Sequence, residues 1–197
     1  MLKPQDLILS AAVPQTETPA FKNWFADSKV TTHNGLPLVV YHGTDQDFHS
    51  FDATLVGSRH VDVEAGPAIF FSNDKETANW YAIDSAKQRK SKKKCAESAA
   101  HVMPVYLSMQ NPLIVDFKGE GLEFLEGEIN NAKEGGHDGL IAIDYDDGGV
   151  STHYVAFTPS QVKSALGNNG DFDAANTDIR FSLTDQVEQP DTDAPCP

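Results

Sequence analysis

What most constrains this chain is its punctuation. β-forming residues come in short runs, and the runs are closed by glycine, proline, asparagine or aspartate. VVYHGT (39–44), AIFFSND (68–74), HVMPVYLSMQNPLIVD (101–116) and HDGLIAIDYDDGGVSTHYVAFTP (137–159) all have this form. Short apolar runs bounded by turn-formers are strand signals. The third stretch is cut in two at the Asn111-Pro112 pair, because proline donates no ladder hydrogen bond. Residues 30–32 and 36–41 flank an Asn-Gly turn and are expected to pair as a hairpin.

Helical spacing fills the gaps. TPAFKNWFADSKV carries Phe21, Trp24 and Phe25 on one face, with Thr18 as N-cap and Pro19 at the first helical position. DKETANWYAIDSAKQRK sets Ala78, Tyr81 and Ala82 together, and Asp74 sits where a carboxylate meets the positive end of the helix. GLEFLEGEINNAKEGG reads as a helix stopped by its glycine pair. Short strands interleaved irregularly with a few short helices predict an α+β domain rather than a doubly wound sheet.

A chain of 197 residues suits one well-filled domain, able to bury about 70% of the surface its unfolded form exposes. The expected boundaries are 18–182, with a flexible N-terminal tail over 1–17 and an acidic disordered tail over 183–197. No apolar run approaches the roughly 20 residues of a membrane helix, and the N-terminus lacks the apolar centre of a signal peptide. Cys95 and Cys196 show no metal spacing, which predicts a reducing compartment. A net charge of −14 argues against general affinity for nucleic acid, since phosphate binding rests on Lys and Arg. The basic stretch KQRKSKKK (87–94) is read first as a solvated helix end and second as a patch for RNA or an acidic protein.

The chemistry is expected at strand ends. Beside His42, Gly43 lets a flat ligand approach the backbone and Thr44 adds a hydroxyl. Phe70, Phe71 and Ser72 end the next strand, and Trp80 and Tyr81 follow on a helix, so aromatic faces could sandwich a planar ring. Taken singly, Phe71 and Trp80 read as core packing. The chain has no phosphate-binding glycine loop, zinc-ligand pattern, nucleophile elbow or kinase signature. His33, His49, His60, His101 and His137 show no metal spacing and read as structural or exposed.

The order VVYHGT, AIFFSNDKETANWYA, HYVAFTPSQVKSA resembles the ADP-ribosyltransferase fold of the poly(ADP-ribose) polymerase and diphtheria toxin type, whose signature is His, Tyr and Glu on three core strands. It looks closest to the domains that phages and conjugative elements carry inside large polyvalent proteins. FKNWFADSKV, VYLSMQNPLIVD, HDGLIAID and QVKSALGNNGDFDAANTDIRFS extend the likeness across residues 18–182.

The resemblance implies a split, strongly bent pair of antiparallel sheets with flanking short helices, and NAD⁺ as co-substrate in the cleft, without a metal. His42 would bond the adenosine ribose and Gly43 the nicotinamide amide through its backbone, while Thr44 and Ser72 line the pocket. Phe70 stands at the motif tyrosine, keeping its stacking face and losing its hydroxyl, and Tyr81 matches the second stacking tyrosine. His153 occupies the position of the motif glutamate. Neutral histidine accepts a hydrogen bond from a ribose hydroxyl but cannot supply a full negative charge against a developing cation. The expected consequences are weaker NAD⁺ cleavage, transfer of a single unit, or a carboxylate recruited from Asp144, Asp146 or Asp147. The catalytic set is therefore His42, Tyr81 and His153, in a mono-ADP-ribosyltransferase of the bacterial cytoplasm. A host protein is the expected acceptor, ahead of RNA or DNA. The alternatives are a module that binds NAD⁺ or ADP-ribose without turnover, and an NAD⁺ glycohydrolase.

Overall fold

The computed structural model describes residues 14–52, 68–93, 99–166, 168 and 172–180. Their elements are α1 (Pro19–Phe25), β1 (Val40–Thr44), β2 (Ile69–Ser72), α2 (Lys75–Lys93), β3 (His101–Leu107), β4 (Leu113–Asp116), α3 (Leu122–Glu134), β5 (Gly139–Asp146), β6 (Val150–Ala156) and β7 (Val162–Ser164). The expected tails lie outside the described residues except near residue 14, where Gln15–Glu17 form a 3₁₀ turn and the Gln15 side chain donates to the Ala165 carbonyl. His60, Cys95, Phe181 and Cys196 also lie outside them.

The helices begin where the sequence places caps. Thr18 Oγ1 accepts from the Phe21 amide at 3.1 Å, with Pro19 in the first turn of α1. Asp74 accepts from the Glu76 amide at 3.2 Å, the Thr77 amide at 3.0 Å and the Thr77 hydroxyl at 2.7 Å. Those bonds, the Thr77 hydroxyl first, hold the Asp74 carboxyl below its ordinary 3.8. The folded chain thus binds this proton less readily than the unfolded chain, so the cap is fully stabilising above about pH 4 and is lost as pH falls further. Asp74→Ala is expected to destabilise the protein by about 1 kcal/mol at neutral pH, and by progressively less below about pH 4. Urea titrations of both chains across that range measure the difference.

The seven strands form one sheet in the order β4-β5-β6-β2-β1-β3-β7. Every neighbouring pair is antiparallel except β4 with β5. The α+β class is as expected, and the split takes the form of a seam within a continuous sheet. β1 pairs with β2 only through Tyr41 and Ser72, whereas β1 and β3 share five paired positions from Val40 to Thr44. The expected first hairpin is present in short form: Thr31 bridges Pro37, and the Leu38 amide donates to the Val30 carbonyl at 3.1 Å.

Side chains alternate across the sheet, so each face has its own core. Val40, Phe71, Val105, Leu107, Ile141 and Tyr154 fill one side. Leu140, Ala142, Tyr145 and Val155 pack with Leu125 and Ile129 of α3 on the other. α1 seals a third cluster, in which the Phe21 ring meets Phe172 at 4.8 Å, Tyr106 at 5.1 Å and Phe25 at 5.2 Å. Aromatic pairs of this kind each add about 0.5–1.5 kcal/mol beyond area burial.

Residues 172–180 wrap back onto the sheet. Lys163 is fully buried, and its ammonium donates to the carbonyls of Asn176 and Asp178, each at 2.8 Å. The Ser164 amide donates to the Ile179 carbonyl, and the Ile179 amide donates to the His49 carbonyl at 2.8 Å, tying this segment to the loop after β1. Among the described residues, no helix is long and apolar enough to cross a membrane.

Candidate active site

Where β1 and β2 part, a cavity of about 570 Å³ opens, within the range of about 300–1,000 Å³ usual for small-molecule sites. Its lining includes His42, Gly43 and Thr44 from β1, Phe70 and Ser72 from β2, Tyr81 from α2 and His153 from β6. Residues far apart in sequence therefore converge because the strand order puts β6, β2 and β1 side by side.

His42 works at the seam itself. Its Nδ1 lies 2.9 Å from the Phe70 carbonyl, a group that full pairing of β1 with β2 would engage in the ladder. A carbonyl only accepts, so Nδ1 carries the proton and Nε2 of the neutral ring is the acceptor. The ring is braced edge-on by Phe51 at 5.0 Å and sits 5.6 Å from Phe71.

Gly43 has a reason to be glycine that its sequence does not show. A Cβ there would lie 1.8 Å from the Ala78 carbonyl oxygen and 2.9 Å from the Ala82 amide nitrogen, so it is the backbone of α2 that fills the space. The expected close approach exists, with a helix as the visitor. That contact brings Tyr81 over the cavity.

Thr44 and Ser72 are both buried and turn their hydroxyls to the ends of their own strands. Thr44 Oγ1 accepts from the Gln46 amide at 3.1 Å, and Ser72 Oγ from the Asp74 amide at 3.0 Å. Phe70 is half-buried against the α3 side of the core and turns part of its ring to the cavity. Phe71 is core, as read from sequence. Trp80 is not: it is 60% exposed, lines the cavity and stands edge-on to Tyr81 at 5.1 Å. Its place on the outward side of α2 overrides the apolar preference of the ring.

His153 is buried in the floor. Its Nε2 lies 3.0 Å from Ser151 Oγ, which is 3.4 Å from Ser72 Oγ, and its ring meets Tyr145 edge-on at 4.7 Å. The Tyr81 hydroxyl donates to the carboxylate of Asp147, and burial together with that bond pushes the phenol well above its ordinary value. Of the three aspartates at the end of β5 and the start of the following turn, Asp144 and Asp146 are exposed, while Asp147 is half-buried and lines the cavity.

Other lining residues escaped the sequence reading. Thr77, Asp84, Ser85 and Gln88 fall at helical spacing with the expected Tyr81 along one side of α2, a period that was legible. Phe48 and Phe51, three residues apart just after the HGT triplet, carried a weaker signal. Among the described lining residues there is no Lys or Arg. No group of three or more His, Cys, Asp or Glu among the described residues is placed to hold a metal ion.

A family model described as "ADP-Ribosyltransferase in polyvalent proteins" matches residues 32–172. No curated protein and no solved structure matches the chain.

Proposed function

The chain belongs to the ADP-ribosyltransferase family of polyvalent proteins, and from that premise we propose that it cleaves NAD⁺ in the seam cavity and passes ADP-ribose to a macromolecule. The observation that carries this reading is the gathering of the seven motif-matched residues, His42, Gly43, Thr44, Phe70, Ser72, Tyr81 and His153, on one cavity of ligand size. Composition alone would not assemble them.

The residues suit the dinucleotide in kind. His42 Nε2 accepts from a ribose hydroxyl, Phe70 and Tyr81 offer faces to the nicotinamide ring, and the backbone of Gly43 addresses its amide. The exposed Gln46 and Gln88 supply side-chain amides to the more polar parts of the molecule. When NAD⁺ reacts, the bond from ribose C1′ to the nicotinamide nitrogen breaks and its electron pair leaves with nicotinamide, which becomes neutral. An acceptor heteroatom then bonds C1′ and gives its proton to solvent. A host protein is the proposed acceptor, on the argument that an acidic chain repels nucleic acid. The proposed setting is the cytoplasm of a bacterium hosting a phage or mobile element.

Incubation of the protein with NAD⁺ labelled in its adenylate half, in a host lysate, tests the reading. Nicotinamide release with label on protein is the expected result. Release without label identifies a glycohydrolase, and binding without release identifies a module that holds NAD⁺ unchanged. Phe70 at the tyrosine position and His153 at the glutamate position together favour that last alternative. His42→Ala is expected to weaken NAD⁺ binding about tenfold, the worth of one hydrogen bond and its brace. Calorimetric titration that found unchanged affinity would move the site elsewhere.

A further inference from the structure

We infer that Asp147, and not His153, supplies the negative charge that stabilises the ribosyl cation. The inference rests on the NAD⁺-cleaving reading and names the residue that reading leaves open.

Departure of nicotinamide leaves positive charge at C1′, and a preorganised anion in a water-poor cleft is the group that lowers such a barrier. His153 is neutral or positive, so it cannot be that anion. It is also only 5% exposed, and its Nε2 and ring are engaged by Ser151 and Tyr145. It belongs to the floor.

Asp147 lines the same cavity from the neighbouring turn. A bulge between Ala142 and Tyr145 inserts one residue into β5, so that Tyr145 rather than Asp144 stands opposite Ser151. β5 then ends on Asp146 paired with Val150, and Asp147 is the first residue of the turn. Asp144 itself has φ 50 and Gly148 φ 80, the left-handed backbone that this geometry requires. Asp146 Oδ1 accepts from the Gly149 amide at 3.0 Å and fixes the turn.

Three described carboxylates line the cavity: Asp52, Asp84 and Asp147. Asp52 lies on the loop after β1, and Asp84 accepts from Gln88 one turn further along α2. Asp147 alone of the three is bonded by Tyr81, the family-matched tyrosine that would stack on nicotinamide. Its Oδ2 accepts the hydrogen bond of the phenol, which keeps its proton, and its Oδ1 is the acceptor for the ribose 2′-hydroxyl. In the reaction Asp147 is unchanged: the electron pair of the broken bond leaves with nicotinamide, and the proton of the incoming nucleophile goes to solvent.

The test compares wild type, D147N, D147E, H153Q and the double variant D147N/H153E. It measures single-turnover nicotinamide release, NAD⁺ affinity by calorimetry and thermal melting. D147N is expected to slow release roughly 10²- to 10³-fold, with affinity and melting near those of wild type. D147E is expected to keep most of the rate and H153Q to lose less than about tenfold. D147N/H153E is expected to recover what D147N loses, since it returns a carboxylate to the motif position. A wild type that cleaves NAD⁺ at a rate D147N leaves unchanged overturns the inference alone. So does an H153Q variant that loses more than D147N. A wild type that binds no NAD⁺ overturns the underlying reading and this inference with it.

Discussion

Gly43→Ala is expected to destabilise the protein by about 3 kcal/mol, the upper part of the range for a forced overlap in a packed interior. In a domain of this size that lowers the melting temperature by about 6–12 °C. The added Cβ would sit 1.8 Å from the Ala78 carbonyl oxygen and 2.8 Å from its carbon. Both atoms are helix backbone, so no side chain can swing aside. α2 must lift from β1, and Tyr81 leaves the cavity with it. NAD⁺ affinity should therefore fall together with stability, which distinguishes this variant from His42→Ala, where the ligand contact is the main loss. Thermal melts paired with NAD⁺ titrations measure both. A Gly43→Ala protein that melts with wild type would mean that α2 does not cross β1 at this distance.

Lys163→Met is expected to cost about 2–4 kcal/mol, because it strands the Asn176 and Asp178 carbonyls without their donor. The side chain is fully exchanged for one of similar reach, so packing is largely kept and the polar loss dominates. Burial lowers the affinity of this ammonium for its proton, while Asp178 and Asp173 act to raise it. The loss should be local first. Residues 172–180 are held by the Lys163 bonds and by the Ser164 and Ile179 amides, and limited proteolysis should open this segment earlier than the sheet. Because Ile179 also bonds His49, the loop carrying Phe48 and Phe51 should loosen against His42, raising KM more than it lowers kcat. A cleavage rate equal to that of wild type would show that the ammonium is dispensable.

Local chemistry was largely legible. Thr18 and Pro19 start α1, the glycine pair ends α3, and the strands expected at 39–44, 68–74, 101–116 and 137–159 exist, while 30–32 forms only an isolated bridge to Pro37. The motif-matched residues share one cavity, which their order suggested. What could not be read is what depends on company. The parallel contact of β4 with β5 joins segments with a whole helix between them, and no local propensity encodes it. A glycine states that a side chain is missing but not what occupies the vacancy, and at Gly43 the space a Cβ would take is filled by α2. The bulge in β5 depends on an aspartate accepting left-handed backbone, and in sequence Asp144, Asp146 and Asp147 were equals. Only the inserted residue separates two exposed carboxylates from one that meets Tyr81.

The lone rung between β1 and β2 joins two banks of strands that are otherwise bound to their own neighbours. A dinucleotide lying across that gap would supply crossties that the backbone omits. Occupancy and rigidity then become one thermodynamic quantity. A ligand at about 100 times its Kd would add about 2.7 kcal/mol to the folded state, and amide exchange in β1 and β2 should slow in the same proportion. In such an architecture the substrate serves, while it is bound, as a piece of the sheet.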